Sequence, residues 1–340
     1  MTQTELADLG WSAPFARQVT ETDGTPARIA AVHRNGVDAL TEAGPRRLAT
    51  PPDLPPLTVG DWVTTSGDTV TRLLDRQSLL ERRAAGTDAR SQLIAANVTT
   101  LGIVTSCNAD FNPARIERYL VLASDAGCLP LVILTKADQT DDARAYVRQA
   151  ERLSPLLTAL ALDATDADEV ARLAPWCKTG ETLALLGSSG VGKTTLRNAL
   201  TGQDAATQSI REGDAKGRHT TTVRELVPTR HGGWLIDTPG MRALRLTDVY
   251  EGIAAVFEEI EDLATRCRFS DCAHDREPGC AVQAAIAAGE IDPDRLTRWR
   301  KLLSEDMRNS ETIAEARARD KGFGKMVKSA MAEKHGRRDT

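Results

Sequence analysis

The chain has 340 residues, 41% hydrophobic and 27% charged, which suits two or three globular domains because a single core rarely grows past ~250 residues. Its net charge of −5 argues against a protein that coats nucleic acid over its whole surface, while leaving room for a local basic face. No apolar run approaches the ~18 residues of a membrane span, and the polar, acidic stretch from Met1 to Leu9 is no secretory signal, so a cytoplasmic protein with no membrane partner is expected. Residues 1–14 are read as an N-terminal extension and residues 15–95 as a small β-barrel, with the OB type as one option. The candidate strands are Ala27–His33, Gly36–Glu42, Asp61–Thr65 and Thr69–Leu74, the last two separated by Ser66-Gly67-Asp68. The proline-rich run from Pro51 to Pro56 reads as a loop. This pattern leaves two uses for the barrel open, RNA binding or scaffolding.

Residues 96–246 alternate β and α texture. Val98–Thr105 is a strand candidate, and Asn112-Pro113 then offers an N-cap with proline at the first helical position. Ile116, Tyr119, Leu120 and Ala123 follow at helical spacing, and Gly127 closes the helix before the continuously apolar Leu129–Leu134. Thr182–Leu186 and Trp234–Ile236 extend the same sheet. Strands with no polar alternation suit a parallel sheet covered on both faces.

Gly187-Ser188-Ser189-Gly190-Val191-Gly192-Lys193-Thr194, with Thr195 after it, fits the phosphate-binding loop between an apolar strand and a helix-forming stretch. Glycines let backbone N–H groups turn inward around a β-phosphate, and the following helix adds its positive end. Lys193 is expected to reach the β- and γ-phosphates and Thr194 to ligate Mg²⁺. Thr135-Lys136-Ala137-Asp138 resembles the guanine-recognition motif Asn-Lys-x-Asp, with Thr135 in place of the usual Asn. A carboxylate at Asp138 accepts from the guanine ring N–H and exocyclic amine, whereas adenine offers neither donor there. Charge-assisted bonds of about 1.5–3 kcal/mol each make that discrimination large. Asp237-Thr238-Pro239-Gly240 resembles Asp-x-x-Gly, in which Asp237 holds Mg²⁺ and Gly240 senses the γ-phosphate. Gly217-Arg218-His219-Thr220-Thr221-Thr222 resembles a switch segment, and Thr221 is the expected Mg²⁺ ligand among its three threonines. The guanine motif comes first in the chain, whereas in Ras-like proteins it comes last. Such a permuted order is tolerated where domain termini lie close together.

Residues 247–316 read as helical. Asp248 with Glu251 forms a candidate capping box, and Ile253, Val256, Phe257, Ile260 and Leu263 mark the buried face of one helix. Further helices are expected at Ala281–Ala288 and Leu296–Leu303. Between them, Cys267, Cys272, His274 and Cys280 offer three thiolates and one imidazole, enough to close a tetrahedral shell around one structural zinc. Residues 317–340 form a basic tail, either solvated or in contact with RNA.

A β-barrel, a permuted α/β domain and this cysteine–histidine spacing together resemble the ribosome small-subunit-dependent GTPase A family. Local stretches add to it: Val59-Gly60-Asp61-Trp62-Val63, Ile94-Ala95-Ala96-Asn97-Val98 and Lys216-Gly217-Arg218-His219-Thr220-Thr221. The resemblance implies an α/β P-loop GTPase domain between an OB-type barrel and a zinc-binding helical domain. It also implies GTP hydrolysis to GDP during late maturation of the small ribosomal subunit, with that subunit and its rRNA as partners, and a monomer is the expected state. Two departures stand out: Thr135, and a poor match to the usual Ser-Ala base-contact loop near Leu160–Ala164. Met241 follows Gly240 where Ras-like GTPases place the glutamine that orients water, and the family resemblance points to His219 for that task, with Lys193 and Gly240 completing the catalytic set. The rival readings are a P-loop kinase acting on a small molecule, which leaves Asp138 and the cysteines unexplained, and a permuted GTPase of large-subunit assembly.

Overall fold

In a computed structural model, which describes residues 5–20, 22–83, 91–155, 157–203, 224–237 and 249–310, five short strands follow the first helix, α1 (Ala13–Ala16). These are β1 (Thr25–His33), β2 (Gly36–Thr41), β3 (Gly44–Leu48), β4 (Trp62–Ser66) and β5 (Thr69–Leu73), ordered β3-β2-β1-β4-β5. A parallel bridge joins the two edges: Ala49 N–H donates to Asp68 O at 2.8 Å, and Val70 N–H donates to Ala49 O at 3.0 Å. The sheet thus curls into an OB-type barrel around Ile29, Val37, Ala39, Leu48, Val63 and Val70. β3 escapes the sequence pattern because its proline and two arginines hide a strand whose one buried side chain is Leu48. A hairpin of β6 (Leu79–Arg83) and β7 (Ser91–Ala96) leads into the next sheet.

That sheet contains β8 (Thr100–Ser106), β9 (Leu129–Thr135), β10 (Thr158–Ala161), β11 (Thr182–Gly187), β12 (Leu226–Pro228) and β13 (Trp234–Asp237). Their order is β10-β9-β8-β11-β13-β12, parallel except for the edge strand β12. β8 and β11 are buried along their whole length, as expected for central strands covered on both faces. The crossovers are α2 (Pro113–Asp125), α3 (Ala143–Glu151) and α4 (Ala167–Ala171), and α5 (Lys193–Thr201) follows β11. α2 starts as the sequence expects: Asn112 Oδ1 accepts from Arg115 N–H at 3.1 Å, ahead of Pro113 at the first helical turn.

The N-terminal segment joins the barrel to this sheet. Leu9 and Phe15 are buried against Trp62 and Leu74, and Trp234 Nε1–H donates to Asp8 O at 2.7 Å. Arg28 of β1, only 1% exposed, donates to Leu9 O at 2.5 Å and to Thr182 Oγ1 of β11 at 2.7 Å.

The C-terminal helices are α6 (Tyr250–Val256), α7 (Glu258–Ala264), α8 (Ala281–Ala287) and α9 (Pro293–Ser310). One expectation is corrected here. The single helix through Ile253 and Leu263 is broken at Phe257, which has φ −115° and ψ 35° and separates α6 from α7. Packing overrides the helical pattern: α6 lies on α2, where a Cβ at Gly252 would meet Val121 O at 2.8 Å, and the Phe257 ring lies 4.5 Å beneath the Arg295 guanidinium. The expected capping box falls partly on Asp248, which lies outside the described residues; α6 is preceded by Val249, whose N–H donates to Asp306 Oδ1 of α9 at 3.1 Å.

Ion pairs fasten α9 to α2. Glu117, fully buried, accepts from Arg295 Nη1 at 2.9 Å and from Arg298 Nε at 2.7 Å, while Arg118 and Glu305 form a two-bonded pair at 2.5 and 2.6 Å. Removing one partner of a buried pair leaves the other charge desolvated, at a cost of about 3–5 kcal/mol. Glu117→Ala is therefore expected to lose about 3 kcal/mol or more in urea unfolding. A loss below about 1 kcal/mol would mean that water relaxes Arg295 and that the pairs do little to hold the helices together.

Candidate functional site

The phosphate-binding loop connects β11 to α5, and its residue types follow from its surroundings. A Cβ at Gly187 would lie 2.1 Å from Val104 O on β8, so no larger residue fits there. Gly192, with φ 89° and ψ 13°, turns the chain into α5 through the left-handed region that favours glycine. Ser189 and Gly190 are exposed, Ser188, Thr194 and Thr195 are half-buried, and Val191 is buried beneath the loop. Lys193 Nζ donates to Gly187 O at 2.8 Å and also to Ser188 O. Burial pushes the Lys193 ammonium below its ordinary pKa, and the charges of Asp237 and Asp110 oppose that shift. Asp237 stands at the end of β13, paired in register with Leu185 of β11. The sheet therefore brings the Lys193 and Asp237 motifs to one end, from positions well apart in the chain. Gly240, His219 and Thr221 lie outside the described residues, as do Thr220, Thr222 and Met241.

The candidate guanine motif is tied directly to the phosphate loop. Thr135, fully buried at the end of β9, has its hydroxyl 2.6 Å from Val191 O and 3.1 Å from Thr105 O, and donates to the nearer carbonyl. Threonine in place of asparagine thus still supplies a hydrogen bond between the two loops. Lys136 takes φ 59°, and a short turn at Ala137–Gln139 leaves Asp138 exposed. The poorly matching loop after β10 still reaches this motif, since Ala137 N–H donates to Leu162 O at 3.3 Å and Leu162 N–H donates to Leu134 O at 2.9 Å.

Cys267, Cys272, His274 and Cys280 form a second cluster, their ligand atoms all within 4.8 Å of one another. Cys267 Sγ lies 3.8 Å from Cys280 Sγ, and His274 Nδ1 lies 3.5 Å from Cys267 Sγ and 3.6 Å from Cys280 Sγ. Tetrahedral zinc with bonds of ~2.3 Å to sulfur and ~2.05 Å to nitrogen requires edges of about 3.8 Å (S–S) and about 3.6 Å (S–N). The donor chemistry of all four residues therefore fits a zinc ion, and Cys267, His274 and Cys280 already stand at the required spacing.

The sequence profile of the RsgA GTPase family matches residues 73–247. Small ribosomal subunit biogenesis GTPase RsgA 2 of Vibrio parahaemolyticus is 47% identical, covering 100% of this chain and 96% of that protein. The protein named small ribosomal subunit biogenesis GTPase RsgA in Mesorhizobium japonicum is 51% identical, covering 90% of this chain and 91% of its own length. The chain belongs to the RsgA GTPase family. Among solved structures, YjeQ from Thermotoga maritima superposes with a TM-score of 0.62 at 26% identity, covering 83% of this chain and 98% of its own. YloQ, described as a circularly permuted GTPase, has a TM-score of 0.60 at 21% identity, covers 86% of this chain and 99% of its own, and supports the fold.

As an RsgA GTPase, the chain is a GTP-hydrolysing enzyme whose P-loop domain has its motifs in permuted order. Sequence reasoning missed two charged residues beside its phosphate loop. Arg197 of α5 lies 4.0 Å from Asp237 Oδ2, and Asp110, from the loop after β8, accepts from Ser188 Oγ. No motif marks either residue; each is brought in by a neighbouring element of the fold.

Proposed function

We propose that this RsgA-family protein binds the small ribosomal subunit and hydrolyses GTP to GDP and phosphate late in that subunit's maturation. One observation carries the reading. The Thr135–Val191 bond joins the guanine motif to the phosphate loop, in a chain that aligns over nearly its full length with relatives named for small-subunit biogenesis. The alternatives, a small-molecule kinase or a large-subunit GTPase, gain no support from those relatives.

In this reading residues 96–246 hydrolyse GTP, and residues 15–95 and 247–316 face rRNA on either side. Asp138 accepts from the guanine ring, Lys136 lies across the base, and Gly187 to Thr195 wrap the phosphates with Lys193 on the β- and γ-oxygens. Thr194, Thr221 and Asp237 would hold Mg²⁺, which when bound supplies neutralising charge to those phosphates. Asp237 is suited to that role: its charge already reaches Lys193 beneath the loop. Met241 cannot orient water, so His219 takes that task, and Gly240 N–H senses the γ-phosphate. The Cys267, Cys272, His274 and Cys280 set would hold one zinc with no open position, a structural role. Among the described residues no helix is long and apolar enough to cross a membrane, and the protein works as a cytoplasmic monomer.

Phosphate release measured with purified ribosomal subunits tests this. Small subunits should raise GTP turnover and large subunits should not. Co-sedimentation with small subunits should be stronger with a non-hydrolysable GTP analogue than with GDP, and should weaken as salt is added. Equal pelleting in both nucleotide states with no change in rate would leave a GTPase without the proposed partner.

A further inference from the structure

The loop from Cys107 to Asn112 follows β8, the central strand beside β11, and carries none of the nucleotide motifs. It is nevertheless built around one carboxylate. Asn108 Oδ1 accepts from Asp110 N–H at 2.9 Å and from Ser106 Oγ at 2.9 Å, fixing the turn. Asp110 then receives donors from three directions. Arg115 Nη2 of α2 lies 2.7 Å from Oδ2 and also bonds the Asp110 carbonyl, and Thr105 Oγ1 lies 3.3 Å from Oδ2. Ser188 Oγ, the third donor, lies 3.0 Å from Oδ1 and 3.1 Å from Oδ2.

Ser188 is the second residue of the phosphate loop, and its carbonyl, with that of Gly187, accepts from the Lys193 ammonium. A line of polar contacts therefore runs from Arg115 through Asp110 and Ser188 to Lys193. A solvent-exposed ion pair would contribute little, but Asp110 is 27% exposed and Arg115 is 30% exposed. With Arg115 and Thr105 holding Oδ2, the Asp110 carboxylate also accepts from Ser188, in the loop that must hold the phosphates.

We propose that Asp110 is a positioning residue for GTP binding and hydrolysis, anchoring Ser188 so that its carbonyl holds Lys193 against the β- and γ-phosphates. Nucleotide-site pre-organisation depends on such supporting contacts, and small displacements of a catalytic group are costly. The inference rests on the GTPase reading but not on the ribosomal partner, so it is tested without ribosomes.

The experiment compares the full chain with Asp110→Ala, Ser188→Ala and the double variant, using intrinsic GTP turnover and melting temperature. Each single variant should lower kcat/KM by on the order of tenfold, and the double variant should be no worse than the poorer single. A second cycle, measuring a fluorescent GDP analogue by equilibrium binding, places Asp110→Ala in a Lys193→Ala background, where it should have no further effect. A purely structural residue would instead lower the melting temperature and weaken binding equally in both backgrounds. Multiplying losses, an undiminished effect without Lys193, or singles within twofold of the parent would each overturn the assignment. A parent that binds no guanine nucleotide would instead overturn the GTPase reading.

Discussion

Asp138→Asn should exchange the base preference of the site, weakening GTP and strengthening xanthosine triphosphate by on the order of 10²-fold each. The turn that carries Asp138 is set before any nucleotide arrives. Thr135 is fully buried and bonded to Val191 O, Lys136 takes a left-handed conformation, and Asp138 is left exposed at the open end of the sheet. In that position the carboxylate can accept from two guanine donors, each charge-assisted bond contributing about 1.5–3 kcal/mol. An amide keeps one acceptor and adds a donor that opposes the guanine amine but matches the extra carbonyl of xanthine. Calorimetry with GTP, xanthosine triphosphate and ATP on parent and variant reads the outcome. Equal affinity of the parent for ATP and GTP, or a variant that still prefers GTP, would remove Asp138 from base recognition.

Removing the metal should have the second large effect. Native mass spectrometry should show one zinc per chain, lost on chelation, and the metal-free protein should lose its C-terminal packing. Cys280 is the last ligand and also begins α8, accepting from Gln283 N–H at 3.4 Å. His274 takes φ 57°, outside the range most side chains prefer, and its ring sits 5.7 Å from that of Trp299. The seven-residue α8 is too short to persist alone. Zinc binding in small metal-dependent peptides supplies roughly 10–16 kcal/mol of folding free energy, far more than these short helices could recover by other means. Chelation should therefore red-shift Trp299 emission and introduce a low-temperature melting step, while the α/β sheet unfolds later. Unchanged melting of metal-free protein would show that thiols and imidazole meet there without serving the fold.

Chemistry confined to one short segment was legible in the sequence. The phosphate loop needs glycines, a lysine and a threonine at fixed spacing because a phosphate is bound by consecutive residues. The cysteine–histidine cluster occupies a single run for the same reason, and its four ligand atoms converge as the spacing implied. The parallel sheet was also readable, since β8 and β11, buried throughout, have no polar alternation to hide.

Other features required the tertiary structure because their causes lie elsewhere in the chain. β3 owes its place to pairing with β2 and to the Ala49–Thr69 bridge, and its own residues argue for a loop. Helical periodicity through Phe257 promised one helix, but α6 must lie on α2 and α7 must lie on α8, so the chain breaks between them. Helix capping by Asp306 from α9 left no mark near residue 249. The same holds for Asp110: local spacing specifies the groups that touch a phosphate, whereas the groups that hold them are recruited from whichever strands the sheet places alongside. Sequence by itself pointed to the chemistry of the candidate site; packing between distant segments decided what surrounds it.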